Sequence, residues 1–192
     1  GIFFVYDENL NANSNNKYLE SSRVISHRGN EKLFVEKNNL WTIFFYRLKT
    51  ESSQIQPYIN DEITILIDGE IYNAKELAKN FDLSTNNLKN VNELIHNIYK
   101  KYGTSLFEKL NGMFTILIVD KSKKQIICVK DKLGLKPGFY YKNSDKFIFS
   151  SEAKSIINCC DNTSINYQNS LASIFLCGRP PYEKTHFNNI YD

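Results

Sequence analysis

Short runs of consecutive apolar residues constrain the fold of this chain more than any other feature of its sequence. The sharpest is Ile63–Ile67, which is followed at once by the acidic segment DGE (68–70). Each run is far too short to cross a bilayer. A strand that is apolar at successive positions needs cover on both faces. The runs therefore predict two layers of β-strands with helices outside them. Further runs are IFFV (2–5), IFFY (43–46) and MFTILIV (113–119).

The acidic end of the Ile63–Ile67 run has two interpretations. Asp and Gly are common turn residues, so DGE (68–70) can be a simple turn. Polar residues at the end of a buried strand are also where functional sites are often built. The local sequence leaves both interpretations open.

Composition excludes several classes of protein. The 192 residues suit one domain with a substantial core. The 24 Lys and Arg residues against 21 Asp and Glu give a formal charge of +3, too small to predict binding to nucleic acid or to a membrane.

The cysteines show no CxxC spacing, so we expect no metal site. Adjacent Cys159 and Cys160 are typical of free thiols in a reducing compartment. No signal peptide opens the sequence, and we expect a cytoplasmic protein.

The clearest predicted helix lies at residues 90–102, and Gly103 ends it. Its periodicity separates an apolar face, expected to pack on a sheet, from a polar face expected to be in water. His96 falls on the polar side and is expected to be a surface histidine. The apolar face consists of Val91, Leu94, Ile95, Ile98, Tyr99 and Tyr102, and the polar face of Glu93, His96, Lys100 and Lys101.

Other segments have weaker patterns. Residues 9–16 are predicted to be a loop, and 17–29 a helix that ends at Gly29. Short helices are predicted from Asn73 as N-cap and within 151–160. Two β-hairpins are predicted, one around the basic turn 121–124 and one around the turn 143–145. The last residues, 178–192, have the composition of a linker.

Four segments, in this order, resemble the glutamine amidotransferase domain of the asparagine synthetase family. They are SHRGNE (26–31), DGEIYN (68–73), LNGMFTILIVDKSKKQIICVKDKLGLKP (110–137) and FIFSSEAKSI (147–156). The family typically shows HRGPD, NGEIYN, LNGMFAFAIYD with ARDRLGIKPLYY, and FASEIKAL at these places. The resemblance covers residues 1–157, which is most of the chain.

The resemblance implies an α+β fold of the N-terminal-nucleophile (Ntn) hydrolase type, a four-layer αββα sandwich. It also implies a reaction. In the family, a Cys at the mature N-terminus attacks the side-chain amide of glutamine, and its own α-amino group acts as the base. An NGE segment supplies the oxyanion hole. The ammonia released passes to an ATP-dependent synthetase domain.

The site implied by the resemblance departs from the family at three positions. Gly1 stands where the residue after the nucleophilic Cys is expected, so the chain as given has no catalytic residue. Asp68 replaces the oxyanion-hole Asn, and a carboxylate donates no hydrogen bond unless it is protonated. At the reference Asp pKa of about 3.9 it would also repel the developing oxyanion. Val91 replaces the Asp that binds the substrate ammonium.

Other positions follow the family. Arg47, with Leu48 after it, matches the Arg that clamps the glutamine carboxylate. Gly69 retains the backbone donor of the oxyanion hole, and Glu70 completes the implied glutamine-binding positions. We also expect Asp68 to pair with Arg47, because a site without substrate would leave the Arg47 cation in need of an acid.

These features indicate a glutaminase-type domain (1–157) of an asparagine synthetase-like protein, whose glutaminase activity is lost. Residues 158–192 are predicted to lead toward an ATP-dependent synthetase domain that is absent here. One alternative is a working amidotransferase domain whose N-terminal Cys is missing from the sequence as given. Another is a non-catalytic scaffold or docking module for a synthetase domain.

Cofactor and partner expectations follow from the same resemblance. We expect no cofactor in this domain, because ATP and Mg²⁺ belong to the synthetase domain of the family. The expected partners are glutamine or no small ligand, and a synthetase domain in cis or in trans. Homodimerisation stays open.

Overall fold

The apolar runs form β-strands in two antiparallel sheets. The structure is a computed structural model that describes residues 1–48, 56–81, 90–176, 178, 180–181 and 183–192. Within these residues the strands are β1 Ile2–Asp7, β2 Glu31–Lys37, β3 Trp41–Arg47, β4 Tyr58–Ile59, β5 Ile63–Ile71, β6 Gly112–Asp120, β7 Gln125–Lys130, β8 Phe139–Lys142, β9 Lys146–Ser150 and β10 Ile190–Tyr191.

Helices accompany both sheets, so the predicted α+β class is confirmed. The α-helices are α1 Ala12–Arg23, α2 Ala74–Asn80, α3 Val91–Tyr102, α4 Ala153–Cys159 and α5 Tyr167–Phe175, with 3₁₀ helices at Ser26–Arg28 and Gly103–Lys109. The described residues within 1–49 and 137–192 form one compact unit, and those within 50–136 form another. The first unit holds the sheet ordered β10-β8-β9-β1-β3-β2, and the second holds the sheet ordered β4-β5-β6-β7.

Strand β1 is the central strand of the first unit, between β3 and β9. Alternate residues face opposite sides of the sheet, and both sides carry fully buried side chains. This explains why its run is apolar without interruption. One face packs with α1 and α4 in a cluster that contains Phe3, Val5, Tyr18, Phe44, Tyr46, Ile156 and Cys159. The other face includes Ile2, Phe4, Ile43 and Phe45.

Helix α1 begins earlier and ends earlier than its sequence pattern predicted. It starts at Ala12 because Asn11 and Ser14 form a capping box, in which each side chain accepts the backbone N–H of the other. It ends at Arg23, and a separate 3₁₀ turn covers Ser26–Arg28. The predicted loop at 9–16 and the predicted helix at 17–29 are therefore wrong in their bounds. Strand β2 was not predicted.

Strand β5 does not end at Asp68, so the turn interpretation is wrong. The strand continues through the acidic segment to Ile71, and each of its residues pairs with β6, from Ile63 opposite Asp120 to Ile71 opposite Gly112. The ladder overrides the turn preference of Asp and Gly. Strand β7 completes the first predicted hairpin, and β8 with β9 forms the second, so both are confirmed.

Helices α2 and α3 start where the sequence predicted. Asn73 is at the N-cap position of α2, but its side chain does not cap the helix. Its amide nitrogen donates to the Lys109 carbonyl at 2.9 Å, and its oxygen accepts from the Asn111 N–H at 3.0 Å. Asn90 does cap α3, accepting from the Glu93 N–H at 2.9 Å.

The face of α3 that packs on the sheet is largely as predicted, with two corrections. Leu94, Ile95, Ile98 and Tyr99 are buried in the core of the second unit. Tyr102 is 40% exposed, although we expected it to be buried. His96, expected in water, is only 9% exposed. Its ring stacks on Tyr58 with centroids 4.9 Å apart, and its Nδ1 lies 3.2 Å from the Tyr58 hydroxyl.

Residues 158–192 contain more regular structure than the predicted linker. Helix α5 lies within them, and β10 pairs with β8 at the edge of the six-stranded sheet. Whether this segment leads toward a synthetase domain stays a prediction. Of the helices in the described ranges, none has the length and apolar content needed to span a bilayer.

The environment of His96 predicts a pH dependence of stability. Burial lowers the pKa of His96, and the Lys100 ammonium lowers it further. An unfolded chain with an ordinary His pKa of about 6.5 therefore takes up a proton that the folded chain resists. The unfolding free energy therefore has its full value above about pH 6.5. It decreases as the pH falls from there toward the lowered pKa of His96 in the folded chain.

Urea unfolding at about pH 7.5 and about pH 5.5 tests this expectation. The wild-type chain should lose more unfolding free energy on acidification than the His96→Asn variant does. His186→Asn is the matched control, because His186 is exposed, and it should keep the wild-type loss. An identical loss in wild type and His96→Asn would contradict the role of His96.

Candidate functional site

The start of β1 lies between two strands of the six-stranded sheet. The Gly1 amine donates to the Tyr46 carbonyl at 2.5 Å, and the Tyr46 N–H donates to the Gly1 carbonyl at 2.8 Å. On the other side, Ile2 and Ser151 are joined by two 2.9 Å hydrogen bonds. Ile2 is opposite Phe45 in the register of β1 and β3. The same register places a residue before Gly1 opposite Arg47, on the face away from α1 and α4.

Arg47 has a carboxylate partner within its own unit. Its Nη1 lies 3.6 Å from Glu31 Oε2, and the Arg47 side chain is only 13% exposed. The premise of the predicted pair with Asp68, an Arg47 cation without an acid, is therefore wrong. Leu48 is 66% exposed. The role of both residues in holding glutamine stays a prediction.

Gly29 fixes the backbone that carries Arg47. A Cβ added to Gly29 would meet the backbone atoms of Arg47 at less than 3.0 Å, which real Cβ contacts essentially never show. Only a glycine permits this approach. The SHRGNE segment therefore packs directly against the backbone of Arg47, the residue predicted to bind the glutamine carboxylate.

Glu152 joins two of the sequence motifs beside Gly1. Its Oε1 lies 2.7 Å from His27 Nε2 and 3.1 Å from Arg28 Nη1, and its Oε2 lies 2.8 Å from Lys154 Nζ. Burial alone would raise the pKa of Glu152, but the hydrogen bonds from Lys154, Arg28 and His27 outweigh it and lower that pKa. The Arg28 stem in turn lies against Gly1.

Asp68 pairs with a lysine of its own unit. It lies directly opposite Thr115 on β6, on the face of the sheet away from α3. Its Oδ1 is 3.4 Å from Lys136 Nζ, and the two side chains are 12% and 24% exposed. The negative charge that we expected to repel an oxyanion is therefore largely compensated.

The loop that carries Lys136 is held by Asp131. Its carboxylate accepts the backbone N–H groups of Leu133, Leu135 and Lys136 at 3.0–3.2 Å. Burial would raise the pKa of Asp131, but these backbone hydrogen bonds outweigh it and lower the pKa. The Thr115 hydroxyl donates to the Lys136 carbonyl at 3.2 Å. Lys136 is thus positioned beside Asp68 by its own backbone.

Gly69 keeps a backbone N–H that does not take part in the β5–β6 pairing. The Ile67 N–H donates to Gln56 Oε1 at 3.0 Å, so it points away from β6. N–H groups alternate along a strand, and the Gly69 N–H therefore points the same way. Phe114, opposite Gly69, accepts from the Asp131 N–H on its far side at 2.9 Å, which agrees with this geometry.

The remaining predicted positions of the second unit are Val91 and Glu70, whose roles in binding glutamine stay predictions. Val91 is the first residue of α3 and packs against the apolar cluster beneath that helix. Glu70 is exposed at the end of β5. Among the described residues, no group of three or more His, Cys, Asp or Glu side chains is arranged to hold a metal ion.

Sequence reasoning missed several residues that contact the predicted site positions within each unit. Glu152, Arg28 and Lys136 all lie in segments that resemble the family, so motif membership was the available signal. Their partners are distant in the chain, because Glu152 pairs with Arg28 and Lys136 with Asp68. A one-dimensional pattern does not reveal such pairs.

Comparisons with known proteins indicate the family and the fold of the chain. A family model described as "Glutamine amidotransferase domain" matches residues 1–192. The putative asparagine synthetase [glutamine-hydrolyzing] 2 of Methanocaldococcus jannaschii is 43% identical over 96 residues, which is 50% of this chain and 18% of that protein. Asparagine synthetase [glutamine-hydrolyzing] 2 of Bacillus subtilis is 34% identical over 127 residues, 64% of this chain and 17% of that protein. The chain therefore matches less than a fifth of the length of either relative.

A solved structure of glutamine phosphoribosylpyrophosphate amidotransferase from B. subtilis is similar in fold. It has a TM-score of 0.61 at 18% identity, over 82% of this chain and 43% of that chain. At this identity the likeness shows the fold alone, and the Ntn-type α+β fold is thereby confirmed.

The backbone conformation at Gly69 predicts that an added methyl group would strongly destabilise the fold. Gly69 has φ of 127°, and an added Cβ would meet the Met113 carbonyl oxygen. Gly69→Ala should therefore destabilise the fold by more than about 2 kcal/mol in urea unfolding. Gly134→Ala is the control, because Gly134 also has positive φ but open space around it. The control should cost only about 1–2 kcal/mol, and equal losses in both variants would contradict the close packing at Gly69.

Proposed function

Because the chain belongs to the glutamine amidotransferase domains of the glutamine-hydrolysing asparagine synthetase family, we propose that it keeps the glutaminase fold but has lost the glutaminase chemistry. In the family this domain hydrolyses glutamine and supplies ammonia for ATP-dependent amide formation. One observation supports the proposal. Asp68, which matches the oxyanion-hole Asn of the family by resemblance, is a carboxylate that pairs with Lys136 at 3.4 Å.

The defect at Asp68 is the loss of a donor rather than an excess of charge. A carboxylate held by an ammonium accepts hydrogen bonds and offers no N–H to a developing oxyanion. Gly69 retains its backbone N–H, so one of the two expected donors is lost. Removal of one oxyanion-hole donor typically lowers turnover by about 10²–10³.

The second defect is at Val91. Its aliphatic side chain packs on the core of its own unit and offers no carboxylate to a substrate ammonium. An Asp at this first position of α3 would be compatible with the helix, because acidic groups are favourable in the first helical turn. Val91→Asp is therefore a structurally mild way to restore the expected substrate contact.

A glutaminase assay with an added nucleophile tests the proposal. Cys is placed immediately before Gly1, where the register of β1 puts it opposite Arg47. This chain should release no ammonia from glutamine above the blank. Adding Asp68→Asn and Val91→Asp should raise the rate by about 10² or more.

A control variant shows whether the gain in rate comes from position 68 or from a general change of charge. Asp61→Asn, in place of Asp68→Asn, alters an exposed carboxylate of the same unit and should restore nothing. Ammonia release by the Cys-bearing chain with Asp68 and Val91 intact, at the rate of the repaired chain, would contradict the proposal. That result would instead favour a working amidotransferase domain.

A second candidate function, a docking module for a synthetase domain, is favoured by α5. This helix presents its polar side to its own chain. Asn166 and Asn169 donate to Asn188 Oδ1 at 2.7 Å and to the Thr185 carbonyl at 3.0 Å, and Ser173 is buried. Its apolar side is outward. The exposed side chains are Ile165, Tyr167, Leu171, Ile174, Phe175 and Leu176, with exposures of 51–84%.

This arrangement reverses the usual amphipathic helix of a monomeric domain. A group of exposed apolar side chains without charged residues among them is typical of an interface. The relatives are named as synthetases that hydrolyse glutamine, and the chain matches only 17–18% of the length of the two described above. We therefore assign the α5 surface, residues 165–176, to an ATP-dependent synthetase domain.

Binding in trans tests the α5 surface. The probe is B. subtilis asparagine synthetase 2 from which the region similar to this chain has been deleted. Calorimetry should detect binding by the wild-type chain, and Leu171→Glu with Ile174→Glu should weaken it by about tenfold or more. Leu133→Glu is the control, because Leu133 is 75% exposed but lies outside α5. No binding, equal binding by the double variant, or self-association through α5 would contradict this assignment.

A further inference from the structure

A single asparagine in the sequence is followed directly by glycine, and this pair, Asn111–Gly112, lies at the start of β6. Asparagine is among the chemically labile residues. The backbone nitrogen of the next residue can attack its side-chain amide and close a succinimide ring. A glycine in that next position presents no Cβ to hinder the attack. In a folded chain the reaction then depends on how the two groups are held.

The side-chain amide of Asn111 is available to react. The residue is exposed, and neither its Oδ1 nor its Nδ2 forms a hydrogen bond with the part of the chain that the structure describes. Its backbone is anchored, because its carbonyl accepts from the Tyr72 N–H at 2.8 Å and its N–H donates to Asn73 Oδ1 at 3.0 Å. The electrophilic carbon, Asn111 Cγ, is therefore presented to water from a fixed position.

The attacking group, the Gly112 N–H, points away from β5. The bond from Tyr72 to Asn111 marks a hydrogen-bonded pair, and such pairs alternate with non-hydrogen-bonded pairs along an antiparallel ladder. Ile71 and Gly112 are therefore a non-hydrogen-bonded pair. On the other side, β7 ends at Lys130 and does not reach Gly112. Within the described residues, the Gly112 nitrogen thus has no hydrogen bond to break before it reacts.

Packing requires the glycine of this pair. A Cβ added to Gly112 would meet the Glu70 carbonyl oxygen and the Ile71 Cα, both atoms of the β5 backbone. No side chain fits between the strands at this point. The close approach of β5 and β6 therefore keeps next to Asn111 the residue that makes its amide most reactive.

Asn143 provides an internal contrast. It precedes Ser144 in the turn between β8 and β9 and is also exposed. Its Oδ1 accepts the N–H groups of Asp145 and Lys146 at 3.0 and 2.7 Å, and its Nδ2 donates to the Tyr141 hydroxyl at 3.3 Å. The turn thus holds the amide of Asn143 in place. Exposure alone does not make an asparagine reactive in this fold.

We propose that Asn111–Gly112 is a self-modification site, at which the folded chain converts Asn111 to aspartate and isoaspartate without an enzyme. The available amide of Asn111, the N–H of Gly112 and the packing that requires Gly112 carry the proposal. It depends neither on the proposed loss of glutaminase chemistry nor on the α5 surface, so the tests of those proposals do not bear on it.

The reaction needs water and no other reagent. The Gly112 nitrogen attacks Asn111 Cγ, so that a new C–N bond forms and the Cγ–Nδ2 bond breaks. The proton of Gly112 leaves with the amide nitrogen as ammonia. Water then opens the succinimide at one of its two carbonyl carbons. Cleavage of the new bond to Cγ gives aspartate, and cleavage of the original peptide bond gives isoaspartate. No oxidation or reduction takes place.

The two products differ in their effect on the ladder. Aspartate leaves the main chain unchanged and adds a negative charge at an exposed position. Isoaspartate routes the main chain through Cγ, which inserts one carbon before Gly112 and turns the former Asn111 carbonyl into a free carboxylate. That carbonyl is the acceptor of the Tyr72 N–H. The isoaspartate form should therefore release Tyr72 from the start of β6.

Peptide mapping after prolonged incubation tests the site. The folded chain and a peptide of residues 109–115 are kept in the same mildly alkaline buffer, and isoaspartate is detected by enzymatic methylation of its carboxylate. Opening at the end of a ladder costs little free energy, so Asn111 in the folded chain should convert within about tenfold of the peptide rate. Asn143 should remain an amide. Asn111→Gln should abolish the modification, because the longer side chain closes the corresponding ring far less readily.

Hydrogen exchange gives a second readout. The Tyr72 N–H should exchange faster in the isoaspartate form than in a freshly prepared Asn111→Asp variant, which carries the charge without the added carbon. Conversion of Asn111 in the folded chain that is more than about tenfold slower than in the peptide overturns the proposal. Conversion no faster than that of Asn143 overturns it as well. Equal exchange of Tyr72 in the isoaspartate form and in the variant overturns the effect on the ladder.

Discussion

The antiparallel pairing of β5 with β6 is the constraint on which the second unit depends. The ladder runs from Ile63 opposite Asp120 to Ile71 opposite Gly112 without a shift of register. It makes Asp68 a strand residue beside Thr115 and Lys136, and it turns the Gly69 N–H away from β6. The same ladder gives α3 its apolar platform. A turn at the acidic segment would have removed all of these relations.

Asp68 and Val91, the residues on which the proposed loss of glutaminase chemistry rests, both fit their surroundings. Asp68 brings a carboxylate into a half-buried strand, where Lys136 compensates it. Val91 brings an apolar side chain to a helix start that lies over an apolar cluster. Both residues are therefore compatible with the packing of the second unit.

Much of the fold could be predicted because its signals are local. Strands β1, β3, β5 and β6, both hairpins and α3 follow from short apolar runs, turn residues and helical periodicity. The failures have identifiable causes. Helix α1 starts at a capping box in a polar segment that lacks an apolar stripe, and β5 continues because long-range pairing outweighs the turn preference of Asp and Gly. His96 is buried by Tyr58, which lies far from it in sequence.

The site was predicted less completely than the fold. Family motifs indicated Arg47, Asp68, Gly69 and Val91 as positions. They did not indicate that Glu31 and Lys136 would provide the counter-charges, because ion pairs between distant residues leave no periodic signal. Helix α5 was missed for a different reason. Its outward apolar side resembles the pattern of a core helix, and its polar contacts involve only short Asn and Ser side chains.

Calorimetric titration with glutamine tests the central claim most directly, because it measures the site without requiring a nucleophile. The wild-type chain should show no binding heat at millimolar glutamine, since Val91 offers no acid to the substrate ammonium and Asp68 remains paired with Lys136. The chain with Asp68→Asn and Val91→Asp should bind glutamine. Saturable binding by the wild-type chain with the same affinity as the double variant would contradict the loss of the glutaminase site.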